Sequence, residues 1–300
     1  MRLREAWALA PALAAGLWGG MYVVSKWGFD AIPPVTLAFC RVALGAAVLL
    51  LFVRVRYPAR EFSRRDWLRF GALGLVVAVS LATQFVGTDL TTASEGALLT
   101  VLTPVFTFIL GVRVLDEPIT RRRVLGMALA FLGTGLVVAG RYDLAALGGG
   151  NGLGVILLVV ASLTFAGYTV WGAPLIRRYS ALETATYSTA VAVPLLGLGV
   201  PVEWYLTVGA APAMPVTPSV LAAVGYLGVF STAVAWYCWY KGLEFVDAGT
   251  VAIFFFAQPV VGAVLGASFL GDRFAPGFVV GGGLMGVGIY LVSTDAGIAG

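Results

Sequence analysis

The chain has 300 residues, 60% of them apolar and 11% charged, with 39 glycines, no histidine and a net charge of +4. A mean hydropathy of +0.94 sets it apart from a soluble globular domain, where about a quarter of residues are charged. The lack of histidine excludes a histidine proton relay or metal site, and basic residues confined to short loops exclude a nucleic-acid face.

A helix needs about 20 apolar residues to cross a bilayer, so the pattern predicts an all-α integral membrane protein of ten transmembrane helices. They fall at 6–29, 34–53, 67–86, 92–114, 122–140, 152–176, 182–204, 218–240, 248–270 and 276–293. Ala8 to Ala15 resembles a signal-peptide cleavage region, but apolar sequence continues to Phe29, which predicts an uncleaved first span. Cys40 and Cys238 lie in separate spans and read as small buried hydrophobes.

The stretch Ala97 to Val137 recurs 155 residues later, at Ala252 to Val292, with 12 of 41 positions identical. The matches include Pro104 with Pro259, Gly111 with Gly266, Gly126 with Gly281 and Gly133 with Gly288. An internal repeat of this size organises the whole chain. It divides into a first five-helix repeat, 6–140, and a second, 152–293.

Orientation follows from lysine and arginine, which collect on the cytoplasmic side. With the N-terminus inside, 15 basic residues lie in inner segments and 3 in outer ones, and Arg41 sits within a span. Both termini are then cytoplasmic. Five spans per repeat is odd, so the second repeat enters the membrane with opposite polarity. Inverted repeats are a common plan of alternating-access transporters, with the substrate site at their interface near the midplane.

The motifs Leu17-Trp18-Gly19-Gly20, Phe39-Cys40-Arg41-Val42, Leu102-Thr103-Pro104-Val105 and Val114-Leu115-Asp116-Glu117 recur in a known order. Ala257-Gln258-Pro259-Val260 and Leu270-Gly271-Asp272 echo them in the second half. In these the chain resembles the EamA branch of the drug/metabolite transporter superfamily over nearly its whole length. It departs from the usual pattern in Gln258, where the family often has Glu, and in Asp272. The resemblance implies a ten-span bacterial inner-membrane transporter that exports small metabolites, among them amino acids, with no cofactor and no catalytic residues.

Several residues are candidates for that transport. Trp18 lies about 18 Å along the first span at 1.5 Å per residue, near mid-membrane rather than at an interface. Tyr22 is one turn further on. In span six Tyr168 and Trp171 are the corresponding pair, Trp18 itself aligning with Phe165, and Phe254 to Phe256 precede Gln258. With Thr100 and Thr103 these predict an aromatic chamber with a few polar groups, the usual make-up of a small-molecule site. Pro104 and Pro259 break the helices of spans four and nine and are candidate hinges. Trp236, Trp239 and Tyr240, close to Lys241, read as an interface belt.

Arg41 is the basic residue inside a span, and its matched family position points to a structural partner for carbonyls or for an acid. Lys26 and Asp30, four apart, read as a pair at the outer interface. Thr92-Ala93-Ser94-Glu95 reads as a capping box, so Glu95 serves a helix start rather than a proton. No other acid falls mid-membrane, which suits a uniporter. The glycines of spans five and ten suit close helix contact, in a monomer or across a homodimer.

Within the resemblance, an aromatic interior without a buried acid suits aromatic and other neutral amino acids. A multidrug or quaternary-cation exporter is the alternative, because aromatic faces attract cations. From another class, a membrane-embedded enzyme acting on lipid would need a histidine, cysteine or carboxylate constellation, and the sequence offers none.

Overall fold

In a computed structural model, the described residues are 7, 9–58, 60–91, 99–100, 102–141, 152–207, 215–258, 260–261 and 276–295. The side chains of Tyr22, Lys26, 137–141, Pro276 and Phe278 fall outside that description, as do Glu95, Pro259 and Asp272. Every regular element among the described residues is helical. Span one is Ala10–Gly19 and Met21–Phe29, broken at Gly20. Spans two, three, six and seven are Pro34–Arg56, Arg64–Leu90, Gly152–Arg178 and Ala181–Thr207, and span eight is Pro218–Leu243; each of the five is long and apolar enough to cross a membrane. Spans four, five and ten are described over Leu102–Leu115, Arg121–Arg141 and Pro276–Asp295, and span nine begins at Ala248–Ile253. This is the expected all-α membrane architecture of two inverted five-helix repeats.

Local chemistry fixes where these helices begin and end. Ser63 and Asp66 form a capping box at the start of span three. Span four stops at Asp116, whose φ of 54° is a left-handed turn that aspartate tolerates, with Pro118 just beyond. Prolines also sit inside helices, Pro174 in span six and Pro194 and Pro201 in span seven. Span five packs on span ten through glycines: a Cβ on Gly126 would lie 2.7 Å from the Gly288 carbonyl, and one on Gly133 would collide with that of Gly281. The repeat glycines therefore bring two helices of the same chain together.

Two glutamates tie one repeat to the other. Glu203 of span seven accepts the amides of Val35 (2.6 Å) and Thr36 (2.8 Å) and the Thr36 hydroxyl (2.7 Å), capping span two. Glu117, after span four, accepts the amides of Ala248 (2.6 Å) and Gly249 (3.0 Å), capping span nine. A helix N-terminus presents unsatisfied N–H groups and a positive dipole end, which offset part of the cost of burying each carboxyl group. Beside Glu117, Arg123 hydrogen-bonds Asp247 at 2.6 Å and forms an ion pair with Asp295 at 3.3 Å, joining the starts of spans five and nine to the end of span ten.

Candidate functional site

A cavity opens where the two repeats meet. The alignment that defined the repeat also organises its wall. Thr100 and Thr103 from one copy, and their equivalents Phe255 and Gln258 from the other, all line it. So do Trp18 and its equivalent Phe165, whose rings meet edge to face at 5.4 Å. An inverted repeat carries equivalent positions to the same place from opposite directions, and three such pairs converge here. Gly19 permits the approach: a Cβ on it would lie 2.9 Å from the Gln258 carbonyl, so spans one and nine touch through backbone.

Trp18 is 3% exposed and packs against Phe165, Trp239 and Phe255, with centroids 5.2–5.5 Å away. Its indole N–H donates to the Ser231 carbonyl at 2.8 Å. The same carbonyl accepts from Arg41 Nη2 at 2.9 Å, while Arg41 Nε donates to the Thr232 hydroxyl at 2.7 Å. Ser231 and Thr232 lie in a π-helical segment, Tyr226–Val234, within span eight. There the Thr232 hydroxyl donates five residues back, to the Leu227 carbonyl. A π segment shifts the helical register and turns backbone groups toward neighbours, which is why such segments gather at functional sites. Arg41 is 1% exposed and lies over the Phe85 and Trp236 rings at 5.7 and 6.0 Å. The expected carbonyl partner is present, in span eight.

Gln258 is 3% exposed, and neither its Oε1 nor its Nε2 has a hydrogen-bond partner among the described residues. A buried primary amide left so costs about 1–3 kcal/mol per unsatisfied group, and this one lines the cavity. Ser80, Gln84 and Ser162 add polar edges to a lining that is otherwise aromatic and aliphatic. Arg41 is the one ionisable side chain among the described residues of the wall. The volume accessible to the centre of a water molecule is about 30 Å³, room for about two waters. The cavity is therefore contracted. The two inter-repeat caps, Glu117 on span nine and Glu203 on span two, are both engaged.

Not every predicted chamber residue reaches this space. Trp18, Thr100, Thr103 and Gln258 do. Trp171 does not: it is 48% exposed and lines a separate groove between spans three and six. Tyr168 is fully buried behind Phe165 and stacks on Tyr240 at 4.7 Å. Phe254 turns away into a cluster with Met127, Ala130 and Met285 of spans five and ten, and its neighbour Phe255 takes the wall. The interface-belt reading of Trp236, Trp239 and Tyr240 is also overturned, since all three are buried. Trp236 lines the cavity and Trp239 donates to the Thr169 hydroxyl at 3.0 Å. Their helix face packs inward on spans one and six, while Lys241 turns to Glu244 and the Trp7 ring. Of the two candidate hinges, Pro104 is buried in the first described turn of Leu102–Leu115 and Pro259 lies outside the described residues. A short 3₁₀ turn, Phe254–Phe256, precedes Pro259 and tightens span nine as it reaches the cavity.

The chain is similar to known transporters along most of its length. Two proteins from Archaeoglobus fulgidus, each named an uncharacterized transporter, are 26% identical over 285 residues (94% of this chain, 95% of theirs) and 27% identical over 297 residues (94% and 96%). The uncharacterized inner membrane transporter YedA of Escherichia coli is 25% identical over 282 residues, covering 91% of this chain and 86% of its own. A solved crystal structure superposes with a TM-score of 0.78 at 20% identity, over 98% of this chain and 99% of that one, a likeness of fold alone. The EamA-like transporter family matches twice in succession, at residues 5–139 and 152–294. This chain belongs to the EamA-like transporter family and is a membrane transporter.

Proposed function

We propose that the protein exports aromatic and other large neutral amino acids by alternating access through the cavity between its repeats. The observation that carries this reading is the wall itself, where the aromatic cluster of Trp18, Phe165 and Phe255 lies with the Gln258 amide, which has no hydrogen-bond partner among the described residues. Rings take up an apolar side chain, and an amide that both donates and accepts suits a zwitterionic head. A wall with a guanidinium and no described carboxylate favours a solute bearing a carboxylate over an organic cation. A cavity of this size must widen to admit an amino acid, and on this reading one of the two inter-repeat caps, Glu117 or Glu203, parts as it does. Placement in a bacterial inner membrane, with both termini on the arginine-rich side, belongs to the same reading. The related YedA is named an inner membrane transporter.

The test is uptake of a radiolabelled amino-acid panel into liposomes holding the purified protein, with and without a proton gradient. Saturable counterflow of tryptophan, phenylalanine and leucine is expected, persisting without the gradient. Absence of transport for every amino acid, in protein shown to be folded, overturns the substrate class. Reporter fusions at Arg60 and Gly300 are both expected on the cytoplasmic side.

A further inference from the structure

Trp171 faces a groove rather than the cavity, and the groove has a composition of its own. Arg69, Ala72, Leu73 and Val76 of span three fall at helical spacings of three and four, as do Trp171, Pro174 and Leu175 of span six. The groove offers about 420 Å³ to water-sized centres, far more than the central cavity. Gly167 shapes it: a Cβ there would lie 2.6 Å from the Trp171 ring, so the glycine lets the indole lie flat along its helix.

Depth and charge say what fits. Phe62, Trp67, Phe70, Tyr179 and Tyr187 form a ring cluster at the arginine-rich end of these spans, with centroids 4.8–6.0 Å apart. The Arg60 and Arg178 guanidiniums lie 5.6 and 5.4 Å from the Tyr179 ring centre. Trp67 of this cluster is 46% exposed, and an exposed ring among arginines marks headgroup level. Arg69 sits at that level, and Val76, seven residues on, is about 10 Å deeper in the hydrocarbon. Arg69 and Arg178 share one carboxylate, Asp66, at 3.8 and 3.6 Å, with their side chains 43% and 55% exposed. Two guanidiniums against one carboxylate leave positive charge at the rim. Basic pockets between membrane helices on that side hold anionic headgroups.

We propose that this groove is a binding site for one anionic phospholipid, its phosphate at Arg69 and an acyl chain laid along Ala72, Leu73 and Val76 against the Trp171 ring. The site is distinct from the central cavity and does not depend on which solute is transported.

Native mass spectrometry of the purified full chain, with equal amounts of phosphatidylglycerol and phosphatidylcholine of matched acyl chains, tests it. One retained phosphatidylglycerol is expected, favoured about fivefold over phosphatidylcholine and losing that preference in Arg69→Gln. Arg121→Gln, at an exposed arginine away from the groove, should keep it. Ala72→Trp, which fills the groove, should lose the retained lipid. Equal retention of the two lipids by the unaltered protein, or unchanged retention in Ala72→Trp, contradicts the site. Binding of a second copy of the chain, lost in Ala72→Trp in place of lipid, also contradicts it. Brominated phosphatidylglycerol reads the same site without filling it: it should quench a larger share of tryptophan emission in the unaltered protein than in Trp171→Phe, and equal quenching overturns the assignment.

Discussion

Trp18 and Trp171 are the same side chain in the first span of each repeat, yet they have opposite surroundings. Trp18 is enclosed by three rings and held by the Ser231 carbonyl, whereas Trp171 is 48% exposed on the groove between spans three and six. The difference is one of helical angle. Phe165, the true equivalent of Trp18, faces the cavity, and at 100° per residue Trp171, six positions on, points about 120° away from it. Equivalence in an inverted repeat is a matter of register, and residue type alone does not establish it.

The largest expected effect tests the enclosed member of this pair. Trp18→Ala should slow transport of aromatic amino acids about tenfold, since it removes the ring that three others pack against. Comparing folded and inserted protein by tryptophan or phenylalanine counterflow checks it.

Gln258 sharpens the comparison, because its cost and its use pull in opposite directions. If the Gln258 amide holds the substrate head as proposed, Gln258→Leu should raise KM for a neutral amino acid about fivefold. The same change removes unsatisfied buried polar atoms, so the thermal midpoint should rise by about 2 °C or more. A lower midpoint together with an unchanged KM would make Gln258 a structural residue.

The caps supply a smaller, pH-dependent effect. Burial pushes the Glu117 carboxyl above its ordinary value of 4.5, opposed by the amides of Gly249 and Ala248; Asp247 adds to the rise and Arg123 opposes it. Protonation therefore favours the arrangement in which Glu117 is buried, and ionisation favours its release. The stabilisation of the closed end is complete below the ordinary carboxylate value and is lost as pH rises through the raised one. Transport limited by opening at that end should accelerate about two- to threefold across this range, and Glu117→Gln should flatten the profile. A profile unchanged in Glu117→Gln places the titration elsewhere.

The smallest effect belongs to the groove. Trp171→Ala should leave transport of every amino acid within about twofold of the unaltered protein, because the residue lines the groove and not the cavity wall.

Much of this architecture was legible in the chain. The spacing of apolar runs and the Pro104/Pro259 repeat predicted the ten spans, and the repeat carried Thr100, Thr103 and Gln258 to the cavity. The alignment of Trp18 with Phe165 names the second-half partner, whereas Tyr168 and Trp171 lie three and six residues off that register. Trp236 and Trp239 were misplaced because nearness to Lys241 suggested an interface, whereas burial depends on which helix face meets spans one and six. The π segment left no mark in Tyr226-Leu227-Gly228-Val229-Phe230-Ser231-Thr232-Ala233-Val234. Its register is set by what Ser231 and Thr232 bond, namely Trp18 and Arg41 about 190 to 210 residues away. Trans-capping by Glu117 and Glu203 is likewise a tertiary contact that local sequence does not announce.

The measurement that bears most directly on the central claim is amino-acid competition in reconstituted vesicles for Trp18→Ala and Phe165→Ala side by side, with Trp171→Ala as the control. If the repeat-related rings form the substrate wall, both variants should lose tryptophan and phenylalanine transport about tenfold while alanine and threonine lose no more than about threefold, and the control should match the unaltered protein. A parallel loss for large and small substrates alike, or a loss in Trp171→Ala equal to that in Trp18→Ala, would contradict the account.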